Sequence, residues 1–482
     1  MPAAVIILPL IMAILGLFKQ LARSLPRIAA GLMIAQIPVA LWACGPALRG
    51  YAPPAGSGLA ADGVGAAFVV LTTIVAAAAM FQAAFLLPAE RRDGHDMADH
   101  LFCRFYTWSG LFILAMYGVL LARNLGYMWI AMEMTTLMSA PLVFFHRSRL
   151  SLEATWKYLL LCSVGIAFAL FGTVLIFASS QGPGSPHGTL MFGELLARGT
   201  HLDPRLLRLG FVFCLLGYGT KAGLFPLHNW LPDAHSEAPA PASAMLSGAL
   251  LNCALVAIWR ITQVAGSAGL SNLVQHTLVP MAAITVFAAG LMLVRQHDLK
   301  RMWAYSSVEH MGLLALAIGI GSGPVFILHA INHSLTKVAL FLLAGNILQL
   351  YGTKSLGKLG GLLRRAPAWG VLLAAGSFAI AGSPPFGTFL SEWLLLRDTF
   401  ASGHFVVAGL VIAGLTITFI AIAGHVGRVL FGNPPDTKKC NYPRSWSLAP
   451  ATLLVAVVAT GLALAPRVMS ALTELVGRSV LR

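Results

Sequence analysis

The chain has 482 residues, 58% of them hydrophobic and only 10% charged, with a mean hydropathy of +0.80 and a formal net charge of +15. A soluble domain of ordinary composition carries about 25% charged residues, so this chain cannot cover itself with polar surface and needs lipid around it. The positive charge does not point to nucleic acid, because the basic residues sit in short loops between apolar runs and form no cluster with interleaved aromatics.

Fourteen apolar segments follow one another, at about 2–18, 28–45, 64–87, 107–122, 125–145, 156–179, 207–228, 238–263, 273–294, 302–320, 322–350, 367–398, 404–430 and 446–466. A span needs roughly 20 apolar residues. No basic residue precedes the first segment, and Lys19, Arg23 and Arg27 follow it. It therefore reads as a first span with its N-terminus outside, and not as a cleavable signal. In that orientation twenty Lys and Arg fall on the cytoplasmic side and ten on the other. This bias predicts a multi-pass protein of a prokaryotic inner membrane, with both termini periplasmic. The six cysteines, Cys44, Cys103, Cys162, Cys214, Cys253 and Cys440, are scattered and read as small core residues. No iron–sulfur, haem or zinc spacing is present, so neither cofactor nor metal is expected.

Two segments carry breaks. The seventh ends in G-L-F-P-L-H-N-W-L-P around Pro226, and the twelfth contains G-S-P-P-F-G at 382–387. Proline removes a backbone donor and clashes with the preceding turn. Within a membrane such breaks are tolerated only where protein or a water-filled cavity satisfies the freed groups. Paired breaks in two halves point to an ion path. They lie five spans apart, an odd number, so the two halves would be related by inverted topology.

Four charges stand out inside apolar segments: Glu133, Lys221, Lys337 and Glu392. Each costs at least about 2.5–3.5 kcal/mol at mid-bilayer. Glu133 lies about 12 Å into segment 5. Lys221 lies beside the first break. The two read either as a structural ion pair or as a coupled proton site. In a coupled site, burial disfavours both charges while each stabilises the other, so separation releases a proton and approach takes one up. His329, His333 and Lys337 recur at i, i+4 and i+8, on one helical face. That stripe favours a proton relay over separately satisfied core histidines or a two-histidine zinc site, since no carboxylate or cysteine stands beside it. Glu392 follows the second break, as a terminal carboxylate or as a helix-start charge. The loop with His228, Asp233, His235 and Glu237 resembles a metal box, but its prolines better suit a rigid turn capping a proton inlet. Asp298, Lys300, Arg301 and His310 form a similar polar run, and His228 and His310 are the candidate inlet residues.

These blocks resemble the antiporter-like proton-translocating family. It comprises the large membrane-arm subunits of bacterial complex I, the large subunits of multi-subunit Na⁺/H⁺ antiporters and membrane subunits of energy-converting hydrogenases. The resemblance covers about residues 100–430. It rests on G-T-K-A-G-L-F-P-L-H-N-W-L-P-D-A-H-S-E-A-P-A-P, D-L-K-R-M-W-A-Y-S-S-V-E-H-M-G, the segment-5 glutamate, H-x-x-x-H-x-x-x-K and P-P-F-G-T-F-L-S-E. It implies an all-α integral membrane fold of about fourteen transmembrane helices, with helices 7 and 12 broken and helices 4–8 and 9–13 as inverted five-helix repeats. The corresponding division is 1–106 for helices 1–3, 107–263 and 273–430 for the repeats, and 446–482 for helix 14 and the tail. It also implies a paired Glu133 and Lys221, the His329–His333–Lys337 relay, and Glu392 in the outward half-channel. One departure stands out. The family usually carries a lysine or histidine in helix 8, where this chain has Ser247 and Asn252, leaving a water-bridged link there. The departure looks most like the hydrogenase-4 component F branch.

The expected function is proton translocation by a subunit without its own redox centre. Other membrane and peripheral subunits of a hydrogenase or complex I-like assembly would be its partners. A membrane subunit of NADH:quinone oxidoreductase, a cation/proton antiporter subunit carrying H⁺ or Na⁺, and a non-pumping structural subunit are the alternatives. A solute transporter fits poorly, because the polar residues form a line and not a pocket.

Overall fold

A computed structural model of the chain describes residues 4–51, 57–92, 98–182, 187–433 and 445–480. Cys440 lies outside the described residues, and the other five cysteines are buried. Among the described residues the fold is all-helical, with isolated β-bridges and no strand. The helices are α1 (Ala4–Leu15), α2 (Leu25–Leu48), α3 (Gly63–Arg92), α4 (Asp99–Leu121), α5 (Leu125–Val143), α6 (Arg149–Ser179), α7 (Phe192–Arg198), α8 (Pro204–Ala222), α9 (Trp230–Glu237), α10 (Ala240–Met245) and α11 (Leu251–Ser267). They continue as α12 (Ser271–Val294), α13 (Leu299–Gly319), α14 (Gly323–Tyr351), α15 (Leu362–Arg365), α16 (Pro367–Ile380), α17 (Gly387–Ala401), α18 (Phe405–Phe431) and α19 (Ala449–Val480).

Each apolar segment read from the sequence falls on one helix or on a helix pair. Eight helical runs are long and apolar enough to cross a bilayer alone: α2, α3, α4, α6, the run Ala240–Ser267, α12, α14 and α18. Segment 7 becomes α8 and the turn that follows it, and α9 begins just beyond the segment, in the stretch read as a loop. Helix α8 ends at Ala222, where Gly223 takes a left-handed φ of 75° and closes the helix. Segment 12 becomes α16 and α17, separated by Gly382 (φ 65°), Pro384 and Pro385. Short α7 and α15 lie in connections that the hydropathy pattern left as loops.

Burial grades from rim to centre. The apolar window of the run Ala240–Ser267 is 100% buried within the protein and that of α14 is 94% buried, against 33% for α18. The two central helices therefore meet protein on all sides, and the polar groups they carry must find partners among neighbouring helices. Between α10 and α11 the backbone makes a five-residue π turn, Leu246–Leu250, a feature concentrated at functional sites. At the rim, small residues let helices approach closely. A Cβ on Gly217 of α8 would stand 2.5 Å from the Gly165 carbonyl of α6.

One buried cation holds the bundle together. Arg260 of α11 donates to the Val119 and Leu120 carbonyls at 2.9 and 2.8 Å, and pairs with Asp62 at 3.2 Å. It thereby caps the C-terminal end of α4, whose last carbonyls have no intrahelical donor. Asp62 also accepts from the Gly65 amide near the start of α3, so three helices converge on one guanidinium. Arg260→Met is expected to lower stability by about 3 kcal/mol, the low end for breaking a buried pair. Arg260→Lys should recover only part, having no fork to reach both carbonyls. Thermal unfolding in detergent measures both.

Candidate functional site

Helices α5, α6 and α8 build the first polar cluster. Lys221 sits in the last turn of α8, where a helix end favours a cation, and is fully buried. Its Nζ donates to Thr136 Oγ1 at 2.8 Å and Tyr158 OH at 2.9 Å, and lies 4.9 Å from the Tyr158 ring centroid. Tyr158 OH in turn shares a 2.6 Å hydrogen bond with Ser139 Oγ. Half-buried Glu133 accepts at Oε1 from Ser163 Oγ at 2.9 Å, while its Oε2 is buried without a partner. The expected pair is thus not in direct contact: among the described residues Glu133 and Lys221 close no ion pair. Thr136, one turn beyond Glu133 on α5, holds the ammonium instead.

The second cluster lines α14. His329, His333 and Lys337 are each 0% exposed. His310 Nδ1 lies 2.9 Å from His329 Nε2, and His329 Nδ1 lies 2.9 Å from Ser391 Oγ, next to Glu392. The His310 and His333 rings are 5.3 Å apart. Lys337 Nζ donates to the Trp303 carbonyl at 2.9 Å and lies 5.7 Å from the Trp303 ring centroid. Glu392 is buried, and its carboxylate occupies the space a side chain at Gly382 would fill.

His310 was expected at an inlet. Instead it packs against α14, bonded to His329 and, through Nε2, to the Ile380 carbonyl at the second break (3.1 Å). Its position near the beginning of segment 10 misled, because two turns of helix carry it inward. His228 is 2% exposed, 3.3 Å from Met292 Sδ and stacked on Phe225 at the first break, so it opens to no surface. Ser247, within the π turn, bonds Ser307 of α13 at 2.8 Å, and Asn252 Nδ2 donates to Ser334 of α14 at 2.7 Å. Both tie α11 to the relay helices directly, and neither is bonded to Lys221.

Asp233 and Glu237 of the metal-box-like loop are occupied by cations. Asp233 pairs with Lys157 at 3.1 Å and with Arg301 at 3.2 Å, and Glu237 pairs with Lys354 at 2.7 Å. These side chains and Asp298 line a surface cavity of about 340 Å³. Buried His235 stacks on Phe341 of α14. Among the described residues no three His, Cys, Asp or Glu are placed to hold a metal.

Two further buried charges, Arg260 and Glu309, lie inside apolar segments 8 and 10. The insertion cost that singled out Glu133 applies equally to Glu309, which is 1% exposed on α13.

Gly382 has a left-handed φ and its Cβ position overlaps Glu392 Oε2. Gly382→Ala is expected to lose about 1–2 kcal/mol and to displace the carboxylate. Gly409→Ala on α18, which meets open space, should be neutral or slightly stabilising. Parallel detergent melts of the two variants check this.

Residues 122–418 match the family described as NADH:quinone oxidoreductase/Mrp antiporter, transmembrane. The chain is 38% identical over 423 residues to the hydrogenase-4 component F homolog of Methylacidiphilum infernorum, covering 86% of this chain and 87% of that one. It is 29% identical over 430 residues to NADH-quinone oxidoreductase subunit N of Desulforudis audaxviator, covering 86% and 82%. Its fold is similar to a chain of the membrane-bound sulfane sulfur reductase, an archaeal respiratory membrane complex, with a TM-score of 0.85, 24% identity and coverage of 99% and 97%. The chain therefore belongs to the NADH:quinone oxidoreductase/Mrp antiporter transmembrane family, as a multi-pass, antiporter-like, proton-translocating membrane subunit.

Proposed function

We propose that the chain carries protons across the membrane within an energy-converting [NiFe] hydrogenase of the hydrogenase-4 or formate hydrogenlyase type, driven by redox chemistry in partner subunits. The observation that carries this reading is the line of titratable side chains on α14, walled in by protein and joined through His310 and Ser391 to the Glu392 region. In an apolar bundle such a line is costly, and proton transfer along it explains its residue types. The hydrogenase assignment is supported by the 38% identity to a hydrogenase-4 component F homolog over most of both chains.

In this reading the fourteen apolar segments are fourteen crossings, with both termini periplasmic. Residues 107–263 and 273–430 form the two inverted repeats. Glu133 and Lys221 make the first proton site. Between them Thr136, Tyr158, Ser139 and Ser163 supply hydroxyls that can pass a proton or reorient as the helices shift. Ser247 and Asn252 join the central helices, and Glu392 is the terminal carboxylate at the second break. His228 and His310 act inside the path, not at its mouth. The likeness to subunit N favours a second reading, a membrane subunit of NADH:quinone oxidoreductase working by the same residues.

Purification of the intact complex in mild detergent separates these readings. Hydrogenase large and small subunits should accompany the chain, whereas NADH-oxidising or only small antiporter subunits would move it to another complex. In the reconstituted complex Lys221→Ala should lower protons translocated per electron pair by about 10-fold or more, while electron transfer persists or falls. Normal coupling in that variant would remove Lys221 from the path.

A further inference from the structure

The contacts of the α14 cluster end at the Ser391 hydroxyl, beside Glu392 in sequence, and leave Glu309 without a task. Glu309 is 1% exposed, and neither carboxylate oxygen has a hydrogen-bond partner. Buried polar groups are satisfied in the great majority of cases, and one that is not calls for an explanation. The cost is largest for a carboxylate. The surroundings of Glu309 narrow the explanation. Lys337 lies within its electrostatic reach, held on the same helix by the Trp303 carbonyl. Glu392 also lies within reach, with its own Oε1 buried and unpartnered. Thr418 of α18 faces the carboxylate, and its hydroxyl has no partner either. The neighbouring residue, His310, is bonded to His329.

Two carboxyl groups and one amine so placed titrate jointly, so a proton gained or lost by one changes the balance at the other two. A purely structural glutamate would be fixed by donors, as Asp62 is by Arg260 and the Gly65 amide. Glu309 has no such anchor, and only the Thr418 hydroxyl faces it. Its rank matches that of Glu133: each stands on the second helix of its five-helix set, near a buried lysine that it does not contact.

We propose that Glu309 is the proton-carrying carboxylate between Lys337 and Glu392, an inference that rests on the proton-translocating reading above. The Lys337 ammonium gives a proton to the Glu309 carboxylate, leaving a neutral amine and a carboxylic acid. The acid turns toward the second break and passes the proton to the Glu392 carboxylate. Glu309 is then a carboxylate again, and Lys337 is reprotonated from the histidines of α14. No net atoms or electrons are exchanged.

The test uses the intact complex reconstituted in liposomes, with electron transfer and proton translocation measured together. Glu309→Gln keeps the shape and removes the titrating group. It is expected to lower protons per electron pair by about 10-fold or more, and Glu309→Asp should restore much of the loss. A difference infrared spectrum should contain a protonated-carboxyl C=O band that disappears in Glu309→Gln. Wild-type coupling in Glu309→Gln, with coupling lost in Lys221→Ala and Lys337→Ala, overturns the role of Glu309 and leaves the proposed function standing. Wild-type coupling in all three overturns the proposed function itself. Should Glu309→Gln fail to assemble, Glu309→Ala is judged by the same criterion.

Discussion

An ammonium in the middle of an apolar bundle must be compensated by something. Here the compensation is indirect. Lys221 is held by two hydroxyls and the face of a tyrosine, and Lys337 by a backbone carbonyl and the face of a tryptophan. A carboxylate stands near each without touching it. A closed buried ion pair is stable but inert, because both charges are fixed by their contact. Ions stepped apart by a hydroxyl are held less firmly, and a shift of a fraction of a turn changes the balance between them. Much of the fold serves this arrangement. The glycine seam between α6 and α8 brings Tyr158 under Lys221, and the break after Ala222 ends α8 one residue past it.

Dipoles in place of counter-ions also explain the number of serines and threonines in the interior. Ser139, Ser163, Ser247, Ser307, Ser334 and Ser391 each make a side-chain contact within one of the polar clusters. Hydroxyls both donate and accept, so such a chain can reverse its polarity without any heavy atom moving far. The proposed relay of imidazoles and hydroxyls would need that property, because each transfer would leave the donors pointing the wrong way for the next.

Most of the architecture was legible in the sequence because hydropathy and proline act locally. The fourteen segments, the break at Pro226 and the break at Pro384–Pro385 each follow from a few adjacent residues. The line of His329, His333 and Lys337 was legible because helical spacing fixes a face. What failed needed a second helix. Position along a segment marks Glu133 and Lys221 as buried charges but does not say that Thr136 holds the ammonium. It sets His310 near an entrance, whereas packing buries it against His329 and the second break. The π turn at Leu246–Leu250 follows from no local pattern, since its residues are ordinary helix formers. Glu309 differs from these, for a carboxylate inside an apolar segment is legible from the sequence by the same insertion cost that marks Glu133.

That π turn has a mechanical consequence. It holds one residue more than an α turn, which offsets everything C-terminal to it by roughly 100° about the helix axis. Within it Ser247 is fastened to α13, and after it Asn252 is fastened to α14 and Arg260 to the end of α4. The run is thus clamped inside and beyond its own phase shift, like a shaft keyed at two angles, and it cannot twist as a rigid rod without shearing one of those attachments. The two interrupted helices, by contrast, have joints in the backbone, at Gly223 and at Gly382, where a turn can be absorbed without shearing a side-chain attachment.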